Sequence, residues 1–299
     1  MMAARGHIGL VGLGIMGSAY ARNLLAAGFS VTGWDIDDTR RAALLEAGGE
    51  SASSAADLAA ASDVVLIALP STDALVEVIE GKSGLAHGAH DGLVVAEMST
   101  FPLDAKERAR VALQTTGVAM VDAPVSGTGI QAAEAEIVIY ASGDSEGLER
   151  LRPVFTVIGK ATFELGEFGN GSKMKYVANL LVSIHNLATA EAFALGMKGG
   201  LEPQQILDVI SAGVGSSKIF EIRGPMMVVD NYAPAAKLKM FIKDITVIGD
   251  FGREHGVPTP LLDASLPIYQ EAVAAGLGDL DAAALCRMLE GIADFERKA

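Results

Sequence analysis

The chain has 299 residues, 50% of them hydrophobic and 20% charged, a balance that excludes intrinsic disorder. Its 23 Lys and Arg face 37 Asp and Glu, for a net charge of −14, and no basic stripe runs along it, which argues against nucleic acid or an anionic membrane as partner. An anionic small ligand would have to be held by local cations and backbone N–H groups against that field.

The length suggests two domains, each able to bury a core without a disulfide or metal staple. Cys286 is the single cysteine and no Cys/His cluster has zinc-like spacing, so no metal site is expected and a reducing, cytoplasmic setting fits. Met1 to His7 lacks an apolar signal region, and no uncharged, strongly apolar run of about 20 residues reads as a membrane span.

In chain order, Ile8 to Val11, Ser30 to Trp34, Val64 to Leu69, Leu93 to Glu97, Val118 to Val121 and Ile137 to Ala141 read as strands, with another near Thr162 to Leu165. Amphipathic stretches between them predict helices at Ser18 to Ala27, Thr39 to Ala47, Ala74 to Ile79, Asp104 to Leu113 and Glu146 to Val154. The alternation is that of an α/β doubly wound parallel sheet, assigned to residues 1–166. After Gly166 the pattern turns helical. A helix from about Ser172 to Lys198, ended by Gly199 and Gly200, is long enough to bridge two domains. Further helices at Pro203 to Ala212, Ala235 to His255, Leu261 to Ala275 and Ala282 to Glu296 make residues 167–299 an all-α domain.

The first strand runs directly into Gly12-Leu13-Gly14-Ile15-Met16-Gly17. This G-x-G-x-x-G gives a tight turn, close backbone approach to a pyrophosphate and close packing of helix on strand, and the helix N-terminus offers N–H groups to the phosphates. Asp35, ending the second strand, is placed to accept hydrogen bonds from the adenosine ribose and to repel a 2′-phosphate, which favours NAD over NADP. Arg40 and Arg41 pull the other way, since either is near enough in sequence to meet a 2′-phosphate. Ligands of such sheets bind beyond the carboxyl ends of the strands, which directs attention to Leu69-Pro70-Ser71-Thr72, to Ser99-Thr100 with Pro102, and to Asp122-Ala123-Pro124-Val125-Ser126-Gly127. Taken singly, these are also ordinary turns.

On the long helix Lys175, Asn179 and Asn186 fall within about 40° of one another, a polar stripe on a helix otherwise free of charge from Tyr176 to Ala190. A lysine there is either a snorkelling surface cation or a partly desolvated one with a lowered pKa, and the second kind transfers protons near neutral pH.

Four motifs occur in order: the glycine-rich loop, Asp122-Ala123-Pro124-Val125-Ser126-Gly127, Gly169-Asn170-Gly171 followed by Lys175 and Asn179, and Lys243-Asp244 followed by Gly256 and Pro260. Together they resemble the β-hydroxyacid dehydrogenase family, to which 3-hydroxyisobutyrate dehydrogenase, L-threonate dehydrogenase and tartronate semialdehyde reductase belong. The resemblance covers nearly the whole chain. It implies a Rossmann domain, a long interdomain helix and a helical domain that takes part in a homodimer or homotetramer. It implies that Lys175 is the catalytic acid/base, that Asn179 orients substrate, that Ser126 and Gly127 hold the substrate carboxylate, and that Thr100 and Lys243 lie near the cofactor. The implied activity is NAD-dependent oxidation of a small 3-hydroxy acid, 3-hydroxyisobutyrate- or threonate-like. The alternatives are an NADPH-dependent semialdehyde or imine reductase and a dinucleotide-binding protein without chemistry.

Departures from the family pattern fall around the substrate. Thr128 stands where glycine is common and would narrow the pocket or add a donor, and Ala178 replaces the first Asn of the usual pair. Gly213 to Lys218 lacks the usual aromatic residue, which leaves Lys218 or Arg223 for a second anionic group.

Overall fold

The computed structural model of the chain describes residues 6–297, so the reading of the N-terminus lies, for residues 1–5, outside the described residues. The chain forms two compact units, Met1–Lys175 and Tyr176–Ala299, and the division falls inside a helix, α8 (Asn170–Lys198).

In the first unit, β1 (His7–Val11), β2 (Ser30–Trp34), β3 (Glu50–Ser51), β4 (Val64–Ile67), β5 (Val94–Glu97) and β6 (Ala119–Asp122) form one parallel sheet in the order β3-β2-β1-β4-β5-β6. Successive side chains of a strand point to opposite faces, so Ile8 and Leu10 join one core with Tyr20, Leu24 and Phe155, while Val11 joins another with Val65, Ile79 and Phe101. With both faces covered, the central strands are continuous apolar runs, as Val64–Ile67 shows. The helices are α1 (Ile15–Ala26), α2 (Asp38–Glu46), α3 (Ala55–Ala60), α4 (Thr72–Glu80) and α5 (Leu103–Gln114). Chain order reverses between β1 and β4, which makes the carboxyl ends of those strands the place where a ligand is expected.

The rest of this unit departs from a single parallel series. β7 (Val125–Ser126), β8 (Ile137–Ala141) and β9 (Gly159–Glu164) form a separate three-stranded sheet in which β7 runs antiparallel to β8. The helices there are α6 (Gly129–Ala133) and α7 (Ser145–Ile158). The five-residue α6, which joins β7 to β8, is too short to serve as a full crossover helix, so the chain returns along β8 antiparallel to β7.

The second unit is helical, with α9 (Pro203–Ser211), α10 (Lys218–Val228), α11 (Leu238–Glu254), α12 (Pro260–Ala272) and α13 (Leu285–Ile292) following α8, as the all-α expectation had it. α10 is an addition: Gly224 and Pro225 lie inside it and break the helical signal in the sequence. The helix expected to end at Ala275 instead ends in a kinked stretch at Val273–Leu277, where Gly276 takes φ +85°. By length and composition α8 could cross a membrane, yet in the second unit its Tyr176 and Phe193 rings pack on Phe251 and Phe220 at centroid distances of 5.2 and 5.6 Å.

Candidate functional site

The glycine-rich loop meets each demand of a dinucleotide. Gly12 has φ +88° and packs so closely that a Cβ would lie 2.2 Å from the Ala68 carbonyl oxygen, while a Cβ on Gly17 would lie 1.9 Å from that of Gly12. At Gly14 a Cβ would meet nothing nearer than Arg40 at 3.8 Å, so this turn leaves room on its outer side for a backbone-hugging ligand. Gly14 is also the N-cap of α1, with no side-chain cap and no acidic residue in the first turn. By contrast α2, α4 and α7 are capped by Asp37, Ser71 and Asp144. Uncapped N–H groups at a positive dipole end, with no acid in the first turn of the helix, suit a pyrophosphate, and the loop therefore fits a nicotinamide dinucleotide. Leu13, Ile15 and Met16 complete the turn, with Leu13 buried and Ile15 exposed.

Asp35 does more than the sequence suggested. It is buried, its Oδ2 accepts from the Leu13 N–H at 2.7 Å and its Oδ1 from the Asp37 N–H at 2.9 Å, so it latches the glycine-rich loop to the end of β2. Arg40 contacts Asp35 at 3.3 Å and Asp37 at 3.4 Å, and Arg41 bonds the Asp35 carbonyl and Asp38. Ile36 follows with 86% of its surface exposed, an apolar group beside the Asp35 carboxylate with the chemistry to pack on a flat ring. Sequence reasoning passed over it because an isolated exposed isoleucine carries no signal.

Of the remaining cofactor candidates, Leu69, Pro70 and Thr100 sit at carboxyl strand ends, whereas Lys243 lies in α11 of the second unit. Leu69 and Pro70 follow β4, and the Leu69 N–H donates to Ser99 Oγ at 2.9 Å. Thr100 follows β5, and of the substrate candidates Ser126 ends β7, with Gly127 and Thr128 directly after it. Thr128 caps α6: its hydroxyl accepts from the Gln131 N–H at 3.5 Å and its own N–H donates to Gln131 Oε1 at 2.9 Å. That capping box commits the Thr128 N–H, so the added hydroxyl is first a helix start.

The segment from Asp122 to Gly127 has a second role. The buried Asp122 carboxylate accepts from the Ser172 N–H at 2.7 Å and from Ser172 Oγ at 2.8 Å, which caps the first turn of α8. Gly171 packs there so tightly that a Cβ would lie 2.2 Å from the Tyr140 carbonyl oxygen, which explains the glycine of this motif. Lys175 follows Ser172 by one helical turn and is half-buried. The strand end that leads into Ser126 and Gly127 is thus hydrogen-bonded, through Asp122, to the helix start that precedes Lys175.

Further along α8, in the second unit, Asn179 Nδ2 donates to Asp244 Oδ2 at 2.8 Å, and Lys243 Nζ lies 3.6 Å from Asp244 Oδ1. Asp244 therefore joins two residues that the sequence had singled out separately. Asn186, the third member of the predicted stripe, is buried and accepts from Arg223 Nη1 at 2.5 Å. Arg223 is itself buried against Asp281 at 2.9 Å, so it is not available for the expected second anion site, while the exposed Lys218 pairs with Glu221 at 3.0 Å.

Residues 7–166 match the NAD binding domain of 6-phosphogluconate dehydrogenase, and residues 169–289 match the NAD-binding model of NADP-dependent 3-hydroxyisobutyrate dehydrogenase. The chain is 34% identical to L-threonate dehydrogenase of Cupriavidus necator, over 96% of this chain and 97% of that one. It is 33% identical to glyoxylate/succinic semialdehyde reductase 1 of Arabidopsis thaliana, over 93% and 96%. A crystal structure of 3-hydroxyisobutyrate dehydrogenase from Salmonella typhimurium superposes with a TM-score of 0.86 at 32% identity, covering 95% of this chain and 99% of that one. Fold and glycine-rich loop define an NAD(P)-binding oxidoreductase. The chain belongs to the β-hydroxyacid dehydrogenase family, whose enzymes act on the CH–OH group of hydroxy acids.

Proposed function

We propose that the chain is an NAD-dependent dehydrogenase of a small 3-hydroxy carboxylic acid of the 3-hydroxyisobutyrate or threonate kind, with Lys175 as general acid/base. The observation that supports this reading is the Asp122 to Ser172 capping, which ties the helix start before Lys175 to the strand end that leads into Ser126 and Gly127. The name of the Cupriavidus necator relative supports a polyhydroxy acid among the substrates.

In this account Ser126 and the Gly127 N–H hold the substrate carboxylate, a local answer to the chain's acidic field. The Lys175 amine takes the proton of the 3-hydroxyl during oxidation and returns it during reduction, a contribution of about 10²–10⁴-fold for a positioned acid/base. Asn179, held by Asp244 one turn further on, orients the hydroxyl end. A pyrophosphate would be held by the N–H groups at the start of α1, from Gly14 to Gly17, because those of Gly12 and Leu13 already donate to the Trp34 carbonyl and to Asp35. NAD, when bound, supplies the hydride acceptor.

For the cofactor, three carboxylates (Asp35, Asp37 and Asp38) stand against two guanidiniums (Arg40 and Arg41), and both guanidiniums are paired to those carboxylates. A 2′-phosphate would meet net negative charge and already occupied arginines, so NAD is preferred.

The test is a panel of L-threonate, 3-hydroxyisobutyrate, glycerate and serine with NAD and with NADP, followed by the absorbance of the reduced nicotinamide. Turnover with NAD on at least one acid is expected. Turnover on none contradicts the proposed reaction, and a preference for NADP contradicts the role given to Asp35.

A further inference from the structure

Beneath the loops that carry these residues runs a chain of charge closed off from water. Lys106 of α5 is 0% exposed, and its Nζ lies 2.6 Å from Glu97 Oε2 and 2.7 Å from Asp122 Oδ1, both on carboxylates that are also fully buried. Glu97 ends β5, Asp122 ends β6, and the two are register partners in the sheet. Two like charges would face each other at adjacent strand ends without the ammonium between them. Burial alone would push Lys106 down, but Asp122 and Glu97 outweigh it and hold the ammonium above its ordinary value. Burial raises Glu97 against the pull of Lys106 and Ser99.

The two ends of this chain lead outward to different parts of the site. From Glu97, Oε1 accepts from the Ser99 N–H at 2.8 Å, and Ser99 Oγ accepts from the Leu69 N–H at 2.9 Å. From Asp122, both oxygens grip Ser172, while Ser142 Oγ donates to Asp122 Oδ2 at 3.3 Å and accepts from the Gly171 N–H at 2.8 Å. Buried ion pairs are often no more stabilising than apolar replacements of the same volume, so a wholly buried lysine between two acids is a poor way to strengthen a core. What it fixes is direction, because every one of these bonds is made to a group held by another.

We propose that Lys106 is a positioning residue, which through Asp122 sets the first turn of α8 and with it Lys175, and through Glu97 and Ser99 sets the loop that carries Leu69 and Pro70. The inference rests on the reading of Lys175 as acid/base and of that loop as cofactor-binding. Lys106 touches neither substrate nor cofactor in this account. It acts through the two carboxylates.

The test uses the full chain and four variants. Lys106→Met leaves two carboxylates facing each other and is the variant most exposed to misfolding, so Lys106→Met/Glu97→Gln removes one acid with the cation and conserves net charge. Ser172→Ala and Ser99→Ala loosen one end each. The readouts are the pH profile of Lys175 acetylation by acetic anhydride, measured by mass spectrometry against Lys218, together with NADH affinity by fluorescence and melting temperature.

Ser172→Ala is expected to shift the Lys175 profile and leave NADH affinity within about twofold. Ser99→Ala is expected to weaken NADH about three- to tenfold, the scale of one hydrogen bond, with the Lys175 profile unmoved. The double variant does both. A double variant that folds and melts earlier, with the Lys175 profile and NADH affinity both unchanged, overturns the proposal and leaves Lys106 a structural residue. Failure of the underlying reading looks different: Lys175→Met would keep turnover while these labelling results stood.

Discussion

Each unit buries a charge network, and the two differ in where the outer bonds land. In the second unit Arg223 meets Asp281 at 2.9 Å, and Asp281 accepts from the N–H groups of Ala235, Ala236 and Ala283 at 3.1, 2.9 and 3.1 Å. Arg223 reaches back to Asn186 on α8, so this network ties the segments before α11 and α13 to the long helix. In the first unit the Glu97, Lys106 and Asp122 network ends on Leu69 and Ser172, next to residues assigned to cofactor and proton transfer. Depth of burial does not separate a staple from a positioning device. The destination of the outermost hydrogen bonds does.

That contrast can be broken most forcefully at Lys106. Lys106→Met strands two buried carboxylates and is expected to cost about 3–5 kcal/mol of stability. It is also expected to lower kcat of the folded fraction by up to about 10²-fold, as small misplacements of reacting groups do. Asp281→Ala strands Arg223 and is expected to cost a similar 3–5 kcal/mol, or roughly 10 °C in melting temperature, while kcat per folded molecule stays within about twofold. Equal loss of kcat in both would erase the distinction between the two units.

Smaller effects sharpen the account at the cofactor end. Asp35→Ala removes the acceptor of the Leu13 N–H and is expected to raise KM for NAD about tenfold, with part of the preference moving to NADP as Arg40 is released. Paired initial-rate measurements with the two cofactors check it. The last effect is alkaline. Because Lys106 is held above its ordinary 10.5, the stability it contributes is complete below that pH and is lost as pH rises through the raised value. Melting curves taken from about pH 9 upward are expected to show an alkaline loss that the Lys106→Met/Glu97→Gln protein lacks.

The sheet and the long helix were legible because both rest on local periodicity: apolar runs at β1, β2 and β4, and a charge-free stretch in α8 ended by glycines. The glycine-rich loop and Asp35 were legible because each lies where a strand stops. Lys106 was not, since it sits in Asp104-Ala105-Lys106-Glu107-Arg108, which reads as a solvated helix face, and its partners are brought to it only by the pairing of β5 with β6. Arg223 misled in the opposite sense, an apparent free cation that the fold buries against Asp281. Asp244 was visible as part of a motif, but its role as the link between Asn179 and Lys243 depends on α8 packing beside α11. Short elements such as β7 and α6 carry too few residues for a periodic signal, although they decide where Ser126 and Thr128 lie.

The central claim is that Lys175 moves the substrate proton, and the measurement that meets it most directly is kcat of Lys175→Met on the best acid of the panel, alongside NADH affinity and melting temperature. A loss of about 10²–10⁴-fold in kcat is expected, with NADH bound within about threefold of the parent and the fold intact. Near-parental turnover by a folded Lys175→Met protein would contradict it.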